Sequence, residues 1–165
     1  GEGGRVRAPP PNRRAVSVYG AGHVGTALVR ALGALPFRVV WTDSRPGLMA
    51  GADPEVETVE SPLPEAVAAS APPGAAHVVL THSHAQDLEI VAAVLGRPHA
   101  FCGLIGSASK RALFRRRLGE RGLTAEHIAR LTCPIGLPGI RDRRPAVIAA
   151  SVAAQLCRID AEARA

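Results

Sequence analysis

Three glycines in the first part of the chain have the spacing that brings a backbone close to a phosphate. Gly20, Gly22 and Gly25 follow a short apolar run and lead into helix-forming residues. This Gly-x-Gly-x-x-Gly pattern, between a strand and a helix, is typical of dinucleotide binding. The first glycine allows a tight turn, the second lets a pyrophosphate approach, and the third lets the helix pack closely. The N–H groups at the helix start, including those of His23 and Val24, would then face the anion.

A carboxylate and a guanidinium follow the next apolar run. Asp43 ends the run that starts at Phe37, at about the place where a βαβ unit carries its ribose-binding acid, and Arg45 follows closely. A carboxylate there accepts hydrogen bonds from ribose hydroxyls, and an arginine there binds a phosphate through two parallel N–H bonds. The alternative is a strand-end turn with two solvated charges. We predict that the pair belongs to a nucleotide-type anion site.

A second anion-binding turn is predicted after a later apolar run. Gly106 and Ser107 break that run, Ser107 could cap the following helix, and Lys110 lies one turn into it. Glycine, a hydroxyl and a lysine at a helix start suit an anion. The alternative is a simple helix cap followed by an exposed lysine.

Polar side chains also cluster at 81–87, after the apolar run at 76–80. We expect Thr81 and His82 to bind the ligand by hydrogen bonds, while Asp87 is well placed as an acid in the first turn of a helix. His82 and His84 have a spacing known from metal sites, but the sequence offers no companion cluster of cysteines or histidines. We therefore predict no metal site. We predict no catalytic nucleophile either, because the chain has no Gly-x-Ser-x-Gly elbow.

Apolar runs alternate with helix-forming segments from residue 15 onward, which is typical of a doubly wound (Rossmann-like) α/β fold. We predict a mostly parallel sheet with helices on both faces, and we expect all the residues above at the carboxyl ends of its strands. The predicted strands are at 16–19, 37–42, 56–59, 76–81 and 100–105. The predicted helices are at 26–32, 63–71, 88–95, 107–119, 124 onward and 145–158, and a loop is predicted at 132–138.

The length and composition predict one domain. The chain has 165 residues, of which we assign 15–160 to the domain and 1–14 and 161–165 to tails. The net charge is +6, but only 3% of the residues are aromatic and no nucleic-acid motif is present, so we expect no nucleic-acid partner. No apolar run reaches the length of a membrane span and no signal peptide is visible. We expect a cytoplasmic protein without a membrane partner.

The three cysteines are widely spaced, which argues against a disulfide framework. Cys102 lies in a predicted strand and Cys157 in a predicted helix, so both are expected to be buried small apolar residues. Cys133 precedes Pro134 in a predicted loop. We expect no reactive thiolate there, because that would require a lowered pKa.

The ordered set of motifs resembles one family. GAGHVG at 20–25, DSR at 43–45, THSHAQD at 81–87, GLIGS at 103–107 and PIGL at 134–137 are similar to the C-terminal Rossmann domain of XdhC/CoxI-type proteins, the xanthine dehydrogenase accessory factors. The resemblance implies a maturation factor that binds the molybdenum cofactor, as molybdopterin or its dinucleotide form. It also implies a role in sulfuration and insertion of that cofactor, by binding and handover rather than turnover. The implied partners are a molybdenum hydroxylase apo-enzyme, a cysteine desulfurase and an N-terminal XdhC/CoxI domain, and we expect a homo-oligomer.

The sequence departs from the family pattern in two places. The N-terminal domain of the family carries a Gly-Gly-Cys segment, and nothing similar precedes Arg14 here. After Leu137 the family tends to have acidic residues, whereas this chain has arginines at 141, 143 and 144. Two other functions remain open: an NAD(P)-dependent oxidoreductase or nucleotide-binding module, and an interaction module whose glycine turn has no ligand.

Overall fold

A six-stranded, all-parallel sheet forms the centre of the molecule in the computed structural model, which describes residues 13–165. The strand order is β3-β2-β1-β4-β5-β6. Strands β2 and β3 therefore lie on one side of β1, and the chain then crosses over so that β4, β5 and β6 lie on the other side. The strands are β1 (Arg14–Tyr19), β2 (Phe37–Asp43), β3 (Glu57–Glu60), β4 (Ala76–Val79), β5 (Phe101–Leu104) and β6 (Leu131–Thr132).

Helices cover both faces of the sheet. Those on one face are α1 (His23–Leu32) and α6 (Pro145–Arg164), which share an apolar cluster with side chains such as Val16 and Val18 of β1. Those on the other face are α2 (Pro64–Ala69), α3 (His84–Leu95), α4 (Ala108–Glu120) and α5 (Ala125–Ala129), which pack around a second cluster that includes Tyr19. The predicted doubly wound fold is confirmed.

Most element boundaries differ from the predicted ones by one to three residues, and α1 for example begins at His23 rather than Thr26. Three further differences concern β6, α3 and α6. The segment predicted as a loop from 132 starts with a strand residue, because β6 has only two residues, too few to show a periodic pattern. Helix α3 begins at His84 rather than Leu88, because Ser83 caps it by accepting a hydrogen bond from the N–H of Gln86. Helix α6 continues to Arg164 instead of ending near Arg158.

The two segments predicted as tails differ in what the structure describes of them. Residues 1–12 of the tail predicted at 1–14 lie outside the described residues, and Arg14 is already the first residue of β1. The tail predicted at 161–165 is helical up to Arg164. Asp160 accounts for this extension, because its carboxylate accepts hydrogen bonds of 3.0 Å from both Arg14 and Arg164. These contacts fix the end of α6 to the start of the sheet.

None of the helices among residues 13–165 combines the length and apolar character needed to cross a membrane.

Candidate functional site

The glycine turn lies at the carboxyl end of β1, next to β4. The strand order reverses at this point, because β2 and β3 lie on one side of β1 and β4 lies on the other. In folds of this kind ligands bind at that reversal point. Gly20 has a φ of 123°, and a Cβ there would lie 2.3 Å from the carbonyl oxygen of Leu80. A Cβ on Gly25 would lie 2.1 Å from the carbonyl oxygen of Gly20. These two glycines are required by the packing of the turn itself.

Gly22 differs from its two neighbours in the motif. A Cβ placed on Gly22 would have no atom within 4 Å among the described residues, and its φ of −79° is accessible to any residue. The fold therefore does not require glycine at this position. Open space above the backbone at the start of α1 is the geometry that lets a phosphate approach its N–H groups.

The start of α1 has no internal acceptor for its N–H groups. Gly22 is the N-cap residue, no side chain caps the helix, and no acid lies in its first turn. By contrast, Ser83, Ser107 and Thr124 cap α3, α4 and α5 through their hydroxyls. Helices α2 and α6 begin with proline, which lacks an N–H. Within residues 13–165, α1 alone has neither device, so its first N–H groups and its dipole are free for an anion.

Two side chains of β2 hold the turn in place. The indole N–H of Trp41 donates to the carbonyl oxygen of Gly20 at 2.9 Å. The N–H of Ala21 donates to Oδ2 of Asp43 at 2.7 Å. Because Trp41 and Asp43 are both buried, these bonds are shielded from water. The turn is therefore preorganised before any ligand arrives.

The carboxylate of Asp43 has no free acceptor site. Besides the N–H of Ala21, it accepts hydrogen bonds from the backbone N–H, Nε and one terminal nitrogen of Arg45. Four bonds fill the roughly four lone-pair positions of a carboxylate. Burial raises the pKa of Asp43, but the hydrogen bonds from Arg45 and Ala21 outweigh this and hold the pKa below its usual value. A ribose hydroxyl would have to displace Arg45 to reach this carboxylate.

A buried network joins the next two turns of the same edge. Oδ1 of Asp87 accepts from the backbone N–H and the hydroxyl of Thr81, at 2.9 and 2.7 Å. Oδ2 of Asp87 accepts from the ammonium of Lys110 at 2.9 Å, and that ammonium also donates to the carbonyl oxygen of Ile105. Asp87 is fully buried, and only 10% of the Lys110 side chain is exposed. Lys110 is thus neither a free phosphate ligand nor an exposed lysine.

The remaining predicted residues line the same edge with exposed or half-buried side chains. His23, His82 and Ser107 are exposed, and Gly106 has a φ of 155° with its space filled by the Lys110 side chain. Asp87 lies in the first turn of α3, as expected. No group of three histidine, cysteine or acidic side chains that could hold a metal ion occurs in the part of the chain that the structure describes.

Two polar residues of α6 were missed as parts of this edge. Ser151 and Gln155 are buried, and they accept hydrogen bonds from the N–H groups of Leu137 at 2.7 Å and Gly136 at 2.8 Å. The side chain of Ile135 fills the space above Gly103. Segment 134–137 is thereby fixed beside the carboxyl end of β5. The available signal was two polar residues, Ser151 and Gln155, four apart on the apolar face of α6.

The cysteines differ in burial. Cys102 is fully buried, and burial raises the pKa of its thiol to about 12. Cys133 is also buried, and burial raises its pKa despite the opposing charges of Lys110, Arg111 and Arg115. Cys157 is half-buried rather than buried as predicted. A raised pKa keeps the thiols of Cys102 and Cys133 protonated at neutral pH.

The parallel sheet with helices on both faces, and the uncapped helix start beside β4, define a doubly wound domain of the Rossmann type. Residues 16–156 match the XdhC Rossmann domain, and the chain belongs to that family. The resemblance inferred from the ordered motifs is confirmed.

Two relatives are notable. The chain is 33% identical over 148 residues to the uncharacterized protein YqeB of Escherichia coli (strain K12), covering 86% of this chain and 26% of that protein. It is 26% identical to a Bacillus halodurans protein whose crystal structure is described as that of a xanthine dehydrogenase. That match has a TM-score of 0.76 and covers 91% of this chain and 43% of the other. The chain thus spans about a quarter of the first protein and less than half of the second.

Proposed function

We propose that this domain is the cofactor-binding part of a maturation factor for a molybdenum hydroxylase of the xanthine dehydrogenase type. Membership of the XdhC Rossmann domain family supports the proposal, as does the likeness to a protein described as a xanthine dehydrogenase. The domain binds the molybdenum cofactor, as molybdopterin or its dinucleotide form, and assists its sulfuration and insertion. It acts by binding and handover rather than by turnover.

The observation that carries the proposal is the uncapped start of α1 beneath the open space at Gly22. Molybdopterin carries a phosphate and its dinucleotide form a pyrophosphate. The N–H groups of His23, Val24 and Gly25 would hold such a group together with the positive end of the helix dipole. The residues present therefore fit the cofactor at its anionic end.

Arg45 adds a positive charge beside the turn. Its side chain is 39% exposed, so part of the guanidinium reaches solvent while the rest is held by Asp43. Pairing with Asp43 raises the pKa of Arg45 further above its usual value, so the group stays charged. In this arrangement Asp43 orients Arg45 and the glycine turn, and Arg45 attracts the anion.

The cofactor, when bound, supplies a dithiolene-held metal on which a sulfido ligand is installed. The chain's part is to anchor the phosphate end at α1. His23 and His82, exposed at the same edge, are proposed to donate hydrogen bonds to the ligand. We propose an apo-hydroxylase, a cysteine desulfurase, an XdhC-type N-terminal domain and a second copy of this chain as partners.

An NAD(P)-dependent oxidoreductase is the second candidate, favoured by the strand order and the glycine spacing. The filled acceptor sites of Asp43 weigh against it, because nicotinamide dinucleotides are held in such folds through their ribose hydroxyls. A ligand anchored through phosphate alone does not need that carboxylate.

Anaerobic calorimetry with molybdopterin, its cytidine dinucleotide form, NAD(H) and NADP(H) tests the proposal. We expect the molybdopterin forms to bind more tightly than either nicotinamide dinucleotide. Gly22→Ala should weaken this binding about tenfold or more, because the added methyl group enters the space through which the phosphate approaches.

Gly74→Ala is the matched control. A Cβ on Gly74 also has no neighbour within 4 Å. Gly74 precedes β4, however, so it lies at the amino ends of the strands, away from the glycine turn at their carboxyl ends. Its binding should equal that of the unmodified chain. Tighter binding of NAD(H) would favour the oxidoreductase, and absence of molybdopterin binding to the folded chain would contradict cofactor binding by this domain alone.

A further inference from the structure

A groove separates α4 from the segment that follows β6, some distance along the sheet edge from the glycine turn. Its volume is about 470 Å³, within the usual range for ligand-binding clefts. Segment 131–141 supplies most of its lining, and Arg111 of α4 supplies one wall. The function proposed above makes no use of this groove.

The floor of the groove is rigid and its backbone donors are already used. The N–H groups of Ile135, Gly136 and Leu137 donate to Leu104, Gln155 and Ser151 respectively. A ligand in the groove therefore meets few free backbone N–H groups. Its charge must be recognised by side chains.

Those side chains are arginines. Arg111 and Arg141 line the groove, and Arg115 lies one helical turn after Arg111 on the same face of α4. None of the three forms an ion pair within residues 13–165, whereas Arg45, Arg121 and Arg144 do. None of the described residues that line the groove is acidic. The groove therefore has an uncompensated positive rim.

The walls between these charges are aliphatic. Ile135, Leu137 and Ile140 line the groove, and Ile140 is 47% exposed, one of the few large apolar side chains of the described chain that are open to solvent. None of its described lining residues is aromatic, so these residues offer no platform on which nucleic-acid bases stack. Aliphatic walls inside a basic rim fit a chain of acidic and aliphatic residues.

We propose that this groove docks an acidic segment of a partner protein, with carboxylates on Arg111 and Arg141 and an aliphatic side chain against Ile140. The site is separate from the cofactor-binding turn, and the proposal does not depend on which cofactor binds there. A protein that failed to bind molybdopterin would still bind the acidic segment.

Fluorescence anisotropy on the full chain with synthetic peptides tests the docking. The probe is a labelled peptide in which glutamates alternate with leucines, and the comparison peptide has serines in place of the leucines. We expect the leucine peptide to bind more tightly. Arg111→Glu with Arg141→Glu should weaken its binding about tenfold or more, because two attractive contacts become repulsive. Ile140→Ser should remove the preference for leucine over serine.

Arg97→Glu is the control. Arg97 is exposed on the loop before β5, at the amino ends of the strands, whereas the groove follows the carboxyl end of β6. It should change the affinity less than about twofold. Equal weakening by Arg97→Glu would overturn the proposal by showing attraction through net charge alone. Tighter binding of a single-stranded oligonucleotide or of phosphatidylserine vesicles would overturn it as well. Equal binding of the two peptides would also overturn the proposal. The same holds if neither peptide binds the parent protein while the parent and the variants melt at the same temperature, which shows that they are folded.

Discussion

The carboxylate of Asp43 and the backbone N–H of Ala21 are joined by a buried hydrogen bond of 2.7 Å. This bond ties the end of β2 to the glycine turn after β1. It makes Asp43 a residue that positions the turn, with Arg45 filling the acceptor sites that a ribose would use.

Asp43→Asn should therefore lower the stability of the domain. An amide has one acceptor oxygen instead of two. With that oxygen in the place of Oδ2, the backbone N–H and Nε of Arg45 would face an NH2 group, and a buried donor left without a partner costs about 1–3 kcal/mol. Urea denaturation at neutral pH measures the change. Glu57→Gln is the control, because Glu57 is an exposed acid on β3 that forms no ion pair with any of residues 13–165. Unchanged stability together with weakened dinucleotide binding would instead assign Asp43 to ribose recognition.

Two glycines of one motif should differ widely in how much stability they lose on substitution by alanine. Gly25→Ala places a methyl group 2.1 Å from a backbone oxygen, and we expect a loss of about 3 kcal/mol or more. Gly22→Ala meets open space and should cost no more than about 1 kcal/mol, the usual difference between the two residues at an N-cap. Thermal unfolding of both variants checks this. Similar losses would contradict the view that only Gly22 is kept free for a ligand.

Lys110→Met should be strongly destabilising because it leaves the carboxylate of Asp87 buried without its cation. Such a change costs about 3–5 kcal/mol. The double variant with Asp87→Asn should regain part of this loss, since the amide oxygen can still accept from Thr81. A double-mutant cycle from urea denaturation measures the coupling.

The pair Glu89 and Arg121 provides the comparison for that cycle. Both side chains are more than one-third exposed, and Arg121→Met should cost less than about 1 kcal/mol. If the two pairs gave equal losses, the Asp87–Lys110 pair would not be shielded from solvent as described.

The stability of the domain should fall between neutral pH and pH 4 because of His77. Burial, and to a smaller extent the charge of His99, lowers the pKa of His77 from 6.5 to about 4. Below pH 6.5 the unfolded chain takes up a proton on His77, whereas the folded chain does so only near pH 4. The free energy of unfolding is therefore unaffected by His77 above pH 6.5, and it decreases as the pH falls from 6.5 to 4. The total is about 3 kcal/mol at 1.36 kcal/mol per pKa unit.

His77→Gln isolates this effect, because glutamine does not titrate and can still bond to the hydroxyl of Tyr19, which lies 2.9 Å from Nδ1 of His77. Unfolding free energies at several pH values should show a flatter profile for His77→Gln than for the parent. A parallel decline in both proteins would assign the pH dependence to carboxylates such as Asp160 and Asp43, whose pKa values are lowered by their arginine partners even though burial acts to raise them.

The alternation of apolar runs with helix-forming segments was sufficient to predict the doubly wound fold, and the pattern at Gly20, Gly22 and Gly25 predicted the turn between β1 and α1. Periodicity and glycine spacing are local properties, so they can be read along the chain. The cap at Ser107 was predicted for the same reason, since a cap binds an N–H only a few residues away.

Tertiary structure decided what the charged residues do. Asp43 meets Ala21, and Asp87 meets Lys110, across more than twenty residues of sequence, and no local pattern specifies such pairs. The sequence placed Lys110 at a helix start, but only the packing of α3 against the turn before α4 turned its ammonium toward Asp87. In the same way Gln155 was predicted on a helix, and only the path of the chain from β6 back to α6 brought it to Gly136. Long-range contacts depend on the whole fold, so which charges remain free for a ligand is settled there.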